Sequence, residues 1–157
     1  MFKKIAIAAD HNGDEYITYV KDALTKAGIE YVVPSYKSEA ANDYPDIYAE
    51  VYKLFTSGEI DGMILLCGTG VGMCMCANKS RGVRCVWANN KAVAVYGRVH
   101  ENANALALGV GYQDPKIGLK VSLSKKQIKS VVTSFVKTPF SEAARHIRRV
   151  EKLENLM

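Results

Sequence analysis

The chain has 157 residues, 48% hydrophobic and 24% charged, with a formal net charge of +5. That is globular usage in a length suited to one domain over residues 1–157, and it excludes collagen, coiled coil or disorder as a description of the whole. The mild basic excess permits an anionic partner without calling for nucleic acid.

Two lysines precede an apolar run of only five residues, 5–9, which is too short for a signal peptide. No stretch approaches the ~20 apolar residues of a membrane span. Cysteines at 67, 74, 76 and 85 crowd one apolar segment without loop-forming spacing. That pattern reads as reduced thiols and a cytoplasmic chain.

Residues 4–9 predict a buried strand closed by Asp10-His11-Asn12-Gly13. Between 14 and 27, Tyr16, Tyr19, Val20, Ala23, Leu24 and Ala27 recur at helical spacing, and Gly28 ends the run. A second strand at 29–33 stops at Pro34, and 35–44 reads as a polar loop. Pro45 marks a first helical turn with Asn42 or Asp43 as cap, and that helix runs to Gly58. A third strand at 63–67 enters Gly68-Thr69-Gly70-Val71-Gly72 and a small-residue helix ending at Asn78. A strand at 83–87, a helix at 91–99 and a strand at 105–108 follow. Residues 112–124 are ambiguous between loop and strand, 128–136 is helical, and Ser141 is a candidate cap for a last helix.

Strands alternating with helices predict a parallel sheet covered on both faces. Ligands bind such sheets at the carboxyl ends of the strands. The rule selects Asp10-His11, the segment from Cys67 to Gly72, and the segment from Trp87 to Asn90.

Three glycines in five residues, between a strand and a helix, expose backbone N–H groups toward one point and make an anion site. The alternative is a tight turn without a ligand. A dinucleotide fingerprint would need glycine at Met73, and a phosphate-binding Walker loop would need glycine before Lys79. Cys67 ends the strand entering this loop, where a thiol is biased toward thiolate; it reads as a nucleophile, a base for a carbon acid, or a buried apolar residue. Cys74, Cys76 and Cys85 read as apolar packing. The cysteine spacing matches no standard zinc site, and no metal is expected. Arg145 and Arg149 share a helix face with His146 beside them, which suits a phosphate grip or a solvated basic tail.

In combination these segments resemble the type B ribose-5-phosphate isomerases, the family that includes galactose-6-phosphate isomerase subunits. The matching stretches are Asp10-His11, Asp43-Tyr44-Pro45, Leu66 through Gly72, Ala77-Asn78-Lys79, Gly82-Val83-Arg84, Ala103-Asn104 with Leu106 and Gly109, and Arg145-His146 with Arg149-Val150-Glu151. The resemblance implies a Rossmann-like three-layer α/β/α fold with a five-stranded parallel sheet and a C-terminal helix reaching a partner subunit. It implies a homodimer, with pairing into a tetramer left open. It also implies cofactor-free interconversion of ribose 5-phosphate and ribulose 5-phosphate through a cis-enediolate, as in the pentose phosphate pathway. Cys67 would be the base, the amides of Gly68, Gly70, Val71 and Gly72 with Thr69 would hold the developing oxyanion, and His100 would open the sugar ring. Asp10 would bind hydroxyls and Tyr44 would line the pocket. His11, Arg145, His146 and Arg149 would bind phosphate.

Glu101 stands where the family usually has Asn, and Gly111 where it usually has a phosphate-binding Arg. Residues 112–124 are longer than usual, and Lys116 or Lys120 is a candidate replacement for the missing charge. Trp87-Ala88-Asn89-Asn90 stands where members often carry Cys-His-Asp. These departures keep open another sugar phosphate (allose or galactose 6-phosphate, or a tetrose phosphate); a non-catalytic binding module is the rival of another class, and Cys67 is the residue that discriminates it.

Overall fold

A computed structural model describes residues 1–35 and 43–156. Five parallel strands form one sheet in the order β2-β1-β3-β5-β4: β1 (Lys4–Ala9), β2 (Glu30–Val32), β3 (Gly62–Cys67), β4 (Cys85–Trp87) and β5 (Ala105–Gly109). The linking helices are α1 (Ile17–Ala27), preceded by a 3-10 turn at Asp14–Tyr16, then α2 (Tyr44–Thr56), α3 (Val71–Asn78) and α4 (Lys91–Glu101). A separate antiparallel hairpin, β6 (Gly111–Asp114) and β7 (Leu119–Ser122), leads into α5 (Lys125–Lys137) and α6 (Ala144–Glu154).

Side-chain alternation divides the core between two faces of the sheet. Ile5, Ile7, Ile64, Leu66, Leu106 and Leu108 pack with Val20, Leu24, Val132 and Phe135 of α1 and α5. Ala6, Ala8, Met63, Leu65 and Cys67 pack with Ile47, Val51, Met73 and Ala77 of α2 and α3. The result is the three-layer α/β/α arrangement, with β3 central and the Cys67 side chain on the α2/α3 face. The apolar runs of β1, β3 and β5 are strands covered on both faces, whereas the border strands β2 and β4 are only partly buried.

Gly28 ends α1 in the left-handed region at φ +72°, where a Cβ would be strained. Asp43 holds the cap position of α2 in extended backbone, but its side chain makes no capping bond; Asn42 and the rest of residues 36–42 lie outside the described residues. Ser141 does not cap α6. Ala143 does so without a side-chain bond, because the Ser141 hydroxyl lies 2.6 Å from His146 Nδ1 and accepts from the Ala143 N–H at 3.4 Å. The ambiguous stretch resolves as the β6–β7 hairpin.

At the sheet edge, the outward N–H and C=O of Cys85 both bind the Asn78 side-chain amide, at 2.8 and 2.9 Å. At the opposite end of the sheet from the glycine loop, buried Arg98 in α4 lies 4.6 Å from the Phe2 ring centroid and 5.7 Å from that of Phe135. It also donates to Thr138 O, Ala103 O and Asn102 Oδ1. Arg98→Met keeps the apolar stem and leaves those acceptors unpaired; urea unfolding should register a loss of about 3 kcal/mol.

Candidate active site

The first group of residues gathers where β1 and β3 end. Cys67 is the last residue of β3 and only 4% exposed. The Gly70 N–H donates to its sulfur at 3.0 Å, and the Val71 N–H donates to Thr69 Oγ1 at 3.2 Å. Gly70 stands at φ +81°; a Cβ there would lie 2.7 Å from both Gly109 N and Trp87 Nε1. The turn therefore requires glycine at 70 for its backbone angle and for its contacts. At Gly109 a Cβ would fall 2.3 Å from Thr69 O and 2.5 Å from Val121 Cγ1. Strand and loop thus touch backbone to backbone, which only glycine permits.

Asp10 leaves β1 next to this loop, its N–H donating to Leu66 O at 3.1 Å. Its buried carboxylate accepts the Asn12 N–H at 2.9 Å. Exposed His11 follows, with Nε2 2.9 Å from Asn12 Nδ2. Tyr44 starts α2 and lays its ring on Gly72, where a Cβ would meet Tyr44 Cζ at 2.9 Å. The hairpin braces the loop from the other side. Tyr112 covers Gly68, Val121 covers Gly109, and the Gly111 N–H donates to Gly68 O at 3.2 Å. Sequence reasoning missed this bracing, although Gly111 was visible as a departure.

The second group lies where α4 and α6 meet. The His100 ring stacks on Tyr96 at 4.2 Å between centroids and lies 4.2 Å from His146. His146 is buried at 2% exposure; Ser141 holds Nδ1, and Nε2 has no partner among the described residues. Desolvation, with His100 and the Arg145 and Arg149 guanidiniums adding to it, holds the His146 imidazole below its ordinary pKa. Arg145 and Arg149 are exposed on α6. The end of α4 is fixed by Arg84, which donates to Glu101 O and Asn102 O and pairs with Glu154 of α6. Glu101 lines a cavity of about 340 Å³ with Arg84, Cys85, Trp87, Tyr96 and Leu153.

Among the described residues, no hydrogen bond, ion pair or ring contact joins His100, His146, Arg145 or Arg149 to Cys67, the glycine loop, Asp10, His11 or Tyr44. Cys74, Cys76 and Cys85 are half-buried and free. Cys74 has a polar contact besides packing, since Asn78 Nδ2 donates to its sulfur at 3.4 Å. The described residues contain no cluster of three or more acidic, His or Cys side chains able to hold a metal ion, and no helix long and apolar enough to cross a membrane.

Residues 5–153 match the model of the ribose/galactose isomerase family. The chain belongs to that family. It is 33% identical to the ribose-5-phosphate isomerase B of Escherichia coli over 151 residues, covering 96% of this chain and 94% of that one. It is 32% identical to the D-erythrulose-4-phosphate isomerase of Pectobacterium atrosepticum over 118 residues, covering 74% and 78% of the two chains. The crystal structure of a ribose 5-phosphate isomerase from Thermotoga maritima superposes with a TM-score of 0.83 at 37% identity, covering 98% of this chain and 99% of that one. The family fold thus matches the three-layer architecture expected from the sequence.

The state of His146 has a consequence for stability. Its folded pKa lies below the unfolded value of about 6.5, so its protonation favours the unfolded chain. The contribution is complete above that unfolded value and is lost as pH falls through the folded one. Urea midpoints should therefore drop between pH 7.5 and 5.5, and His146→Gln should make the drop shallower.

Proposed function

We propose that this chain is an aldose–ketose isomerase that interconverts ribose 5-phosphate and ribulose 5-phosphate through a cis-enediolate, without metal or cofactor. One observation carries the reading. The Cys67 sulfur ends the central strand with an amide hydrogen aimed at it, inside a glycine loop that opens a helix. Removing a proton beside a carbonyl needs a base at ~3 Å and prearranged donors for the resulting oxyanion. Cys67 serves as that base, carrying the proton between C1 and C2. The amides of Gly68 and Gly72, with the Thr69 hydroxyl, hold the enediolate oxygen, since the Gly70 N–H is taken by the Cys67 sulfur and the Val71 N–H by Thr69 Oγ1. Burial of Cys67 shields the transferred proton from bulk water.

Asp10 binds sugar hydroxyls and Tyr44 lines the pocket. His100 protonates the ring oxygen and opens the furanose. His11, Arg145, His146 and Arg149 take the phosphate, whose remote binding energy positions the reacting carbons. A homodimer in which α6 of each subunit completes the partner's site would bring the Cys67 and His100 groups together. Exposed Val71, Met75 and Tyr96 supply apolar surface for such a contact. Four free thiols fit a reducing, cytoplasmic setting.

The likeness to a D-erythrulose-4-phosphate isomerase, together with Glu101 and Gly111, favours a tetrose phosphate as the second reading. A coupled assay comparing kcat/KM for tetrose, pentose and hexose phosphates, allose and galactose 6-phosphates included, decides between them, because pocket length sets the discrimination.

Cys67→Ala should lower kcat/KM by roughly 10²–10⁴-fold while calorimetry still detects sugar-phosphate binding. Unchanged binding with no turnover in the unsubstituted chain would instead leave a binding module. The charge absent at Gly111 is assigned to Lys116 or Lys120 of the hairpin. Alanine at the responsible lysine should raise KM about tenfold with kcat little altered, and unchanged KM in both variants rejects the assignment.

A further inference from the structure

We propose that Trp87 is a positioning residue for Cys67, acting through the Thr69–Gly70 peptide. The inference rests on Cys67 being the reactive group of the proposed isomerase and adds a residue to its machinery. The Trp87 indole Nε1 donates to Thr69 O at 2.9 Å. The Gly70 N–H donates to Cys67 Sγ at 3.0 Å. That carbonyl and that N–H belong to one peptide group, which is trans, so they point in opposite directions across a rigid plane. Fixing the oxygen therefore aims the hydrogen.

This plane would otherwise be weakly held. Gly70 has no side chain to restrict rotation and already occupies φ +81°. Among the described residues, no other group donates to Thr69 O. Gly109 closes the other side, since even a methyl there would come within 2.3 Å of the same oxygen. The carbonyl is seated between the Gly109 backbone and the indole. A donor on the carbonyl also polarises the amide, so its N–H becomes a stronger donor to sulfur. Tryptophan is well matched to this position because it has one donor, no acceptor and a rigid frame. Trp87 occupies one of the three strand ends that the ligand rule selected, so its part in the site lies one peptide away from the reacting atom.

The experiment compares the full-length chain with Trp87→Phe and with a chain carrying 3-benzothienylalanine at position 87. The second replacement keeps the bicyclic shape and packing and lacks the N–H. The first readout is the alkylation rate of Cys67 by iodoacetamide near neutral pH. Peptide mass spectrometry resolves it from Cys74, Cys76 and Cys85. The second is kcat and KM for ribose 5-phosphate. In both variants Cys67 alkylation should slow about tenfold while Cys74 changes by less than about twofold, and kcat should fall about tenfold at nearly constant KM. Alkylation of Cys67 in the benzothienyl chain at or above the unaltered rate overturns the proposal. So does a rise in KM without loss of kcat, which would make Trp87 a substrate contact. Absence of turnover in the unaltered chain sinks the isomerase reading alone, and the alkylation comparison then still decides the role of Trp87.

Discussion

The backbone contact between Thr69 O and Gly109 is the constraint on which the site depends. Two main-chain segments approach closely enough that a single methyl group would separate them. That approach fixes the turn after β3, and the turn fixes where the Gly70 N–H points. The cost is conformational: Gly70 is held at a positive φ, and Gly109 leaves no side chain of its own in the core. Packing from outside compensates, with Tyr44, Tyr112 and Val121 each lying against a glycine of the loop or of β5. A precise amide geometry is thus obtained from residues that carry almost no chemistry themselves.

The second constraint is electrostatic. His146 lies buried against the His100 ring, on the same helix as Arg145 and Arg149, with one ring nitrogen unpartnered among the described residues. Such a group favours the neutral imidazole and is poorly satisfied in an isolated chain.

Much of the fold was legible because the buried strands are continuous apolar runs and the turns between them carry Gly, Pro or Asp. Residues 63–67 and 105–108 can hardly be anything but covered strands. The Cys67 loop was equally legible, since strand, three glycines and helix are contiguous in sequence. What escaped were relations between distant residues. The Trp87–Thr69 bond spans eighteen positions and depends on β4 ending level with the loop. His146 sits in a run of charges that reads as solvated, yet one helical position turns inward while Arg145 and Arg149 stay exposed. Ser141 looked like a cap because it precedes a helix; the cap position falls two residues later at Ala143, and the Ser141 hydroxyl contacts His146 instead. The hairpin was ambiguous because its short strands are half polar and pack against distant parts of the chain, Tyr112 on Gly68 and Val121 on Gly109.

The pairing of the Asn78 amide with both outward groups of Cys85 bears on how copies of this chain can meet. β4 is the border strand on that side, and a border strand with free peptide groups is a template for unwanted cross-chain ladders. Here one side chain mimics the missing neighbour and blocks the template at its first rung. With those groups occupied, this edge is a poor starting point for a continuous intermolecular sheet.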